Sequence, residues 1–278
     1  MKKLIFLDID GTLFSHKTFS VPASAIEACR EAKENGHLLF LSSGRSPVLT
    51  KVFREMDFIS GQICQDGAYA EAEGKIIFEH PMEEGDAVYL MDLAERTRAC
   101  VTIRGVSEYF SDEAGIADYH VRFNENMKRG RDPKTFPAEP LLFREYYHGQ
   151  AIYKADAFFR EDTDREQFIN GVKDRFNWMG MLSESENSGM GGEIASTGIS
   201  KATGIRMISE YYHVPMADTI AFGDSANDKE MLEAAGISVA MGNGAVIAKE
   251  AADFVTDDID EDGIANAFSK LGLIDQYF

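Results

Sequence analysis

Two carboxylates follow directly on a four-residue apolar run: Leu4-Ile5-Phe6-Leu7 leads into Asp8-Ile9-Asp10-Gly11-Thr12-Leu13. A short apolar run of this kind reads as a buried strand, so Asp8 and Asp10 emerge together at its C-terminal end. Partly buried like charges two residues apart raise each other's pKa and are costly unless a cation stands beside them. The pair therefore calls for a metal ion or a cationic substrate, and catalysis is the economical reason to keep it. Aspartate can attack phosphorus as a nucleophile, and a second carboxylate two residues on can protonate the leaving oxygen and later activate water. The structural alternative is a plain Asp-Gly turn at a strand end.

Three other segments have the same strand-then-polar-turn form or depend on it. Leu41-Ser42-Ser43-Gly44-Arg45 follows an apolar strand, and a hydroxyl beside free N–H groups at a helix start makes an anion site; a strand-to-helix turn with an N-cap explains it equally well. Arg45 suits that site or a surface ion pair. Lys201 opens a helix after Gly198-Ile199-Ser200 and is an ordinary solvated charge unless the other segments gather round it. Phe222-Gly223-Asp224-Ser225-Ala226-Asn227-Asp228 ends a further apolar strand in carboxylates. With Asp8 and Asp10, Asp224 and Asp228 form a set of hard oxygens suited to Mg2+. Asn227 as an N-cap, with Asp228 on the first helical turn, is the structural reading.

Positioning these segments needs a parallel sheet. Strand and helix patterns alternate from the start: residues 3–8 as strand, about 22–35 as helix with Gly36 as its stop, 37–42 as strand, 46–56 as helix, 59–65 as strand. The rhythm returns with a helix over about 201–212, a strand over 219–222 and a helix over about 227–235. The ends thus make one doubly wound α/β domain, whose ligands belong at the carboxyl ends of the strands. The middle differs, with a helix over about 83–98, alternating strands around 101–111 and 151–159, and a Gly/Ser-rich exit at 188–192, and reads as an inserted α+β domain. The expected division is 1–81 with 192–278, and 82–191.

Composition narrows the partners. The 278 residues carry 28 basic and 47 acidic side chains, a formal charge of −19, which repels nucleic acid and anionic lipid. Anionic small molecules stay admissible, because a metal ion, a few basic side chains and helix N-termini reverse the sign locally. Cys29, Cys64 and Cys100 lie far apart without CxxC spacing, so neither disulfides nor zinc are expected. The N-terminal apolar run is too short for a signal peptide or membrane span, and a cytoplasmic location is expected. Residues 128–134 hold four basic side chains and one acid, read as a solvated loop or as a phosphate-reading patch. The sequence carries no signal for an oligomeric state.

In order and spacing the four segments resemble the motifs of the haloacid dehalogenase superfamily, and the large middle insert is similar to its Cof-type branch with a type IIB cap. Asp8-Ile9-Asp10-Gly11-Thr12-Leu13 and Gly223-Asp224-Ser225-Ala226-Asn227-Asp228 are the specific elements of the likeness. It implies a Rossmann-like core with a cap that selects substrate, and an Mg2+-dependent phosphatase of small metabolites, with sugar phosphates the class suggested. It further implies that Asp8 is nucleophile and metal ligand. Asp10 would be the acid/base, touching the metal through its carbonyl. Ser43, Gly44, Lys201 and the backbone of Ile9 and Gly11 would hold phosphate, Asn227 would orient substrate or Lys201, and Asp224 and Asp228 would serve the metal. Two departures stand out: Ser42-Ser43-Gly44-Arg45 in place of Ala-Thr-Gly-Arg, and Asp66-Gly67-Ala68 in place of Asn-Gly-Ala. Within the cap, Arg122, Asn124 and Lys128 are the candidates for contact with substrate. The rivals are a phosphomutase and a metal-dependent binding or regulatory protein without turnover.

Overall fold

The computed structural model describes residues 2–128, 130–180 and 191–275. The chain opens with β1 (Leu4–Leu7), α1 (Ala23–Glu34), β2 (Leu38–Ser42), the single-turn α2 (Lys51–Arg54), β3 (Ile59–Cys64), β4 (Tyr69–Ala72) and β5 (Lys75–Glu79). An insertion follows: α3 (Asp86–Thr97), β6 (Cys100–Arg104), β7 (Tyr109–Ser111), α4 (Glu113–Lys128), β8 (Leu141–Phe143), β9 (Lys154–Phe158), α5 (Arg165–Lys173), β10 (Phe176–Gly180) and β11 (Gly191–Ser196). The return comprises α6 (Lys201–Tyr211), β12 (Thr219–Gly223), α7 (Lys229–Ala234), β13 (Ile237–Ala240), α8 (Val246–Ala251), β14 (Phe254–Val255) and α9 (Gly263–Lys270).

Two compact units result: residues 1–45, 50–79 and 200–278 form the first, 46–49 and 80–199 the second. The first is built on an eight-stranded sheet in the order β14-β13-β12-β1-β2-β3-β4-β5. Pairing is parallel from β14 to β3 and antiparallel across the β4 and β5 edge. Leaving β1, the chain winds outward through β2 and β3, then returns to lay β12 on the other side of β1. That reversal opens a crevice at the carboxyl ends of β1 and β12. All four residues of β1 are buried, as covering both sheet faces requires, and Phe6 stacks on Phe40 at 5.3 Å.

The second unit has a six-stranded sheet, β10-β11-β9-β6-β7-β8, antiparallel except for the β7–β8 pair. One face is apolar, with Val101, Ile103, Ala155, Ala157 and Ile194 packed on Leu90, Leu93, Phe168 and Val172 of α3 and α5. Alternation along the strands puts Arg104, Lys154 and Asp156 on the other face, where Arg104 pairs with Asp156 and Glu139, and Lys154 with Glu193 at 2.7 Å. Arg122 pairs with Asp118 and stacks over Phe158 at 3.8 Å.

The structure departs from the sequence reading in two places. The boundary expected at 191/192 falls inside β11, which is hydrogen-bonded between β9 and β10 and belongs to the second unit, so the division comes at 199/200. Residues 188–190 of the Gly/Ser-rich exit lie outside the described residues, while Gly191 and Gly192 are strand. The helix expected over 46–56 shrinks to Lys51–Arg54. Ahead of it Leu49 N–H closes a turn on the Ser46 carbonyl, and the Thr50 hydroxyl is spent on Gln62 Oε1 at 2.6 Å rather than on the local backbone. All three cysteines are buried and free. Among the described residues no helix is long and apolar enough to cross a membrane.

Candidate active site

Sheet register delivers the acidic groups. Leu7 lies opposite Phe222 on one side and Leu41 on the other, so Asp8 leaves β1 level with the ends of β12 and β2. The Asp8 N–H donates to the Phe222 carbonyl at 3.1 Å, extending the ladder one step beyond the strands. Asp224 follows β12 directly, and Asp228 is turned back on it by a tight cap. Ser225 is the N-cap, and Asp228 Oδ2 accepts the N–H groups of Asp224 and Ser225, each at 3.0 Å. The capping residue is thus Ser225, not Asn227. That frees Asn227 to donate to Asp66 Oδ1 at 3.1 Å.

Carboxylate oxygens of Asp8, Asp224 and Asp228 come within 4.8 Å of one another. Lys201, the first residue of α6, carries its ammonium into this group: Nζ is 2.6 Å from Asp8 Oδ1 and 2.6 Å from Asp228 Oδ1. Its side chain is 0% exposed, which rules out the solvated-charge reading. Burial works against the ammonium, but Asp228 and Asp8 outweigh it and hold the lysine pKa above its ordinary value. Three carboxylates against one ammonium leave negative charge uncompensated. Burial pushes the Asp8 carboxyl well up, with Asp228, Asp224 and Asp10 adding to the shift and Lys201 opposing it. Asp224 is pushed up to about 7 by burial and Asp228, against the Thr12 hydrogen bond and Lys201. A divalent cation relieves this imbalance, and hard carboxylate oxygens are its natural donors, so the residues present fit a bound metal ion.

The remaining contacts fix these side chains. Thr12 donates its hydroxyl to Asp224 Oδ1 at 2.9 Å. Arg45 takes both oxygens of Asp10, Nε to Oδ2 at 2.8 Å and Nη2 to Oδ1 at 2.6 Å. Ser43, buried just past β2, accepts the Arg45 N–H on its hydroxyl at 3.2 Å and receives the Asp66 N–H on its carbonyl at 3.2 Å. Gly44 forms the bend between them. Gln65, Asp66 and Gly67 all have positive φ (52°, 51° and 99°), a run of left-handed residues that marks a constrained turn.

A family model for haloacid dehalogenase-like hydrolases matches residues 5–268. The chain belongs to that family. YkrA of Bacillus subtilis (strain 168) is 33% identical over 272 residues, covering 98% of each chain. The pyridoxal phosphate phosphatase YbhA of Escherichia coli (strain K12) is 29% identical over 279 residues, 95% of this chain and 96% of its own. Among solved structures, a protein of Geobacillus kaustophilus HTA426 aligns with a TM-score of 0.83 at 29% identity, over 99% of this chain and 100% of its own. The subclass IIB sugar phosphatase BT4131 aligns with a TM-score of 0.79 at 26% identity, over 98% and 100%.

In this haloacid dehalogenase-like hydrolase the geometry sorts the expected residues. Asp8, Asp224, Asp228 and Lys201 converge, with Asn227 beside them, its Oδ1 3.5 Å from the lysine nitrogen. Asp10 stands apart from the carboxylate group on its side-chain atoms, being gripped by Arg45. The Ile9 N–H has no protein acceptor among the described residues, whereas Gly11 does not fit as a phosphate donor: its N–H is already given to the Phe14 carbonyl at 3.0 Å. Gly11 serves another purpose. Its φ is +91°, and a Cβ there would overlap the Asp224 carboxylate, so only glycine lets the two loops meet. Lys128 ends α4, and Arg131 stacks on Phe136 at 4.3 Å; residue 129 lies outside the described residues. Arg45 and Thr12 are the partners that sequence reading left out or left open. Their signal was adjacency to the motifs, and their partners lie 35 and 212 residues away.

Proposed function

We propose that the chain is an Mg2+-dependent phosphatase of small phosphorylated metabolites, sugar phosphates foremost, working through an aspartyl-phosphate on Asp8. The observation that carries this reading is the group of Asp8, Asp224 and Asp228, three carboxylates within 4.8 Å with one buried ammonium against them. Asp8, Asp224 and Asp228 would hold the ion, with the Asp10 carbonyl. Bound there, the metal supplies positive charge to the nucleophile and to the phosphoryl oxygens. An Asp8 oxygen bonds to phosphorus as the ester P–O bond breaks in line, and Asp10 gives its proton to the departing alkoxide. Water then attacks the same phosphorus, Asp10 takes its proton, and the Asp8 carboxylate is released with inorganic phosphate. Lys201 and the Ser43 hydroxyl bind the transferring group, Asn227 keeps Lys201 and Asp66 in register, and the cap, the second unit of residues 46–49 and 80–199, chooses the substrate. A charge of −19 supports small-molecule chemistry over nucleic-acid binding, and a cytoplasmic location belongs to the same proposal.

The test is phosphate release from hexose phosphates, nucleotides, flavin mononucleotide, pyridoxal phosphate and p-nitrophenyl phosphate, with Mg2+ and with EDTA. Release is expected with Mg2+ alone, and is lost in Asp8→Asn with the fold intact. Activity retained in that variant overturns the nucleophile. An isomerised sugar phosphate without free phosphate makes the protein a mutase, and no release from any of these substrates favours a metal-dependent binding or regulatory protein.

A further inference from the structure

Asn243 lies in the turn between β13 and α8, is exposed, and belongs to none of the four motif segments. Both ends of its carboxamide are nevertheless committed to other loops. Nδ2 donates to the Gly11 carbonyl at 2.7 Å, and Oδ1 accepts the Ile259 N–H at 2.9 Å. The turn that carries it is held from several sides. Met241 N–H donates to the Gly223 carbonyl at 3.0 Å, Gly242 N–H to Asp257 at 3.0 Å, and the Lys249 ammonium to the Gly242 carbonyl at 2.6 Å. Two residues past Asn243, the Ala245 N–H donates to the carbonyl of Asp224 at 2.7 Å.

One short turn therefore touches the backbone of both acidic loops. With its N–H already on Phe14, Gly11 has its carbonyl fixed by Asn243, which sets the plane of the Gly11–Thr12 peptide. From that peptide hangs the Thr12 hydroxyl, 2.9 Å from Asp224 Oδ1. We infer that Asn243 is a positioning residue of the carboxylate site: it clamps the loop after Asp10 to the turn that also holds Asp224, and so sets the separation of Asp8 from Asp224 that metal binding and phosphoryl transfer require. Its side chain is exposed and lies outside the core, so its loss is expected to leave the fold in place.

The inference rests on the metal-dependent phosphatase reading for its kinetic arm only. Asn243→Ala and Asn243→Leu, the latter close in shape but unable to hydrogen-bond, are compared with the unaltered full chain by three measurements. Calorimetric titration with Mg2+ is expected to show a dissociation constant raised about tenfold or more, the scale found when partners that orient metal ligands are removed. Turnover is expected to fall by a similar factor with KM little changed, and the melting temperature without metal is expected to hold. Unaltered Mg2+ affinity and turnover in both variants overturn the inference. So does a loss matched by a fall in the metal-free melting temperature, which would make Asn243 a structural brace. The titration needs no turnover, so it decides the matter even if no phosphate ester proves to be a substrate.

Discussion

Arg45 holds Asp10 by both carboxylate oxygens, at 2.8 and 2.6 Å, while its guanidinium lies over the Phe53 ring at 5.3 Å. A planar fork seated on an aromatic ring has few ways to move, so the carboxylate it grips has one orientation. His16 Nε2 adds a looser contact to Asp10 at 3.5 Å. If Asp10 is the acid/base, that orientation governs proton transfer. Arg45→Lys keeps the charge and loses the fork, and is expected to lower kcat while KM changes little. The ceiling is set by Asp10→Asn, expected to cost about 100- to 10,000-fold, the usual worth of a general acid/base. Steady-state kinetics on one good substrate checks both, and a lysine variant with native kcat would remove orientation of Asp10 from the account.

Lys201 is the sole ammonium within hydrogen-bond reach of Asp8 and Asp228 among the described residues. Removing one partner of a buried ion pair costs about 3–5 kcal/mol, because the other charge stays buried and uncompensated. Lys201→Met, similar in length and uncharged, is expected to lower the melting temperature of the metal-free protein sharply and to abolish turnover. Mg2+ should then recover more stability in the variant than in the unaltered chain, since it supplies the missing positive charge. Thermal melts with Mg2+ and with EDTA test this, and equal metal-induced shifts in both proteins would count against it.

Legibility of the site followed from what is local. Asp8 and Asp224 stand out in the sequence because each comes at the end of an apolar strand, and β1 and β12 carry them to one edge of the sheet, Asp8 buried and Asp224 half-buried. Lys201 could be placed only by its motif neighbours, since nothing in a lone lysine at a helix start distinguishes a buried ammonium from a solvated one. The family resemblance makes Gly11 a phosphate donor, yet its N–H closes on Phe14, a contact set by the tightness of the loop and invisible in the order of residues. Asn227 looked like a cap because Asn is a good one, yet Ser225 is nearer the bend and Asp228 can reach back to it. The helix expected over 46–56 comes down to Lys51–Arg54, with residues 47–49 closing as a separate turn on the Ser46 carbonyl and Thr50 as the N-cap. Arg45 on Asp10 and Asn243 on Gly11 span 35 and 232 residues, distances over which only the folded chain makes neighbours.

Asp224 gives the site a pH signature. Its carboxyl is raised to about 7, chiefly by burial, from an unfolded value near 3.8. A group that binds its proton more tightly when folded contributes stability that is fully present below the unfolded value and is lost as pH rises through the folded one. The metal-free protein should therefore lose stability from about pH 4 upward through about pH 7, with Asp8 shifted in the same direction. Metal binding must expel protons held by Asp224 and Asp8, so Mg2+ affinity should climb as pH rises through about 7, the value to which Asp224 is raised. Melting temperatures and Mg2+ titrations across this range, run in buffers of different ionisation enthalpy to count released protons, check the sign. A pH-independent affinity would show that Asp224 is already ionised without metal.

Gly67 is where the 65–67 turn meets α6. Its φ is +99°, and a Cβ there would overlap the carbonyl of Ser200, the residue before Lys201. The same turn holds Asp66, which receives Asn227 Nδ2 and lies close enough to strengthen the lysine's charge. Gly67→Ala therefore has two penalties. One is left-handed strain of about 1–2 kcal/mol. The other is a backbone overlap that relaxes only by moving the turn or the start of α6. Either movement shifts Lys201 against Asp8, so turnover should fall along with the denaturation midpoint. Asp66→Asn is the informative contrast, because asparagine tolerates the same backbone and its carbonyl can still accept from Asn227. It should keep the native midpoint. Chemical denaturation and kcat for both variants decide the point: a Gly67→Ala protein as stable and active as the original would mean the turn and α6 can separate without disturbing the lysine.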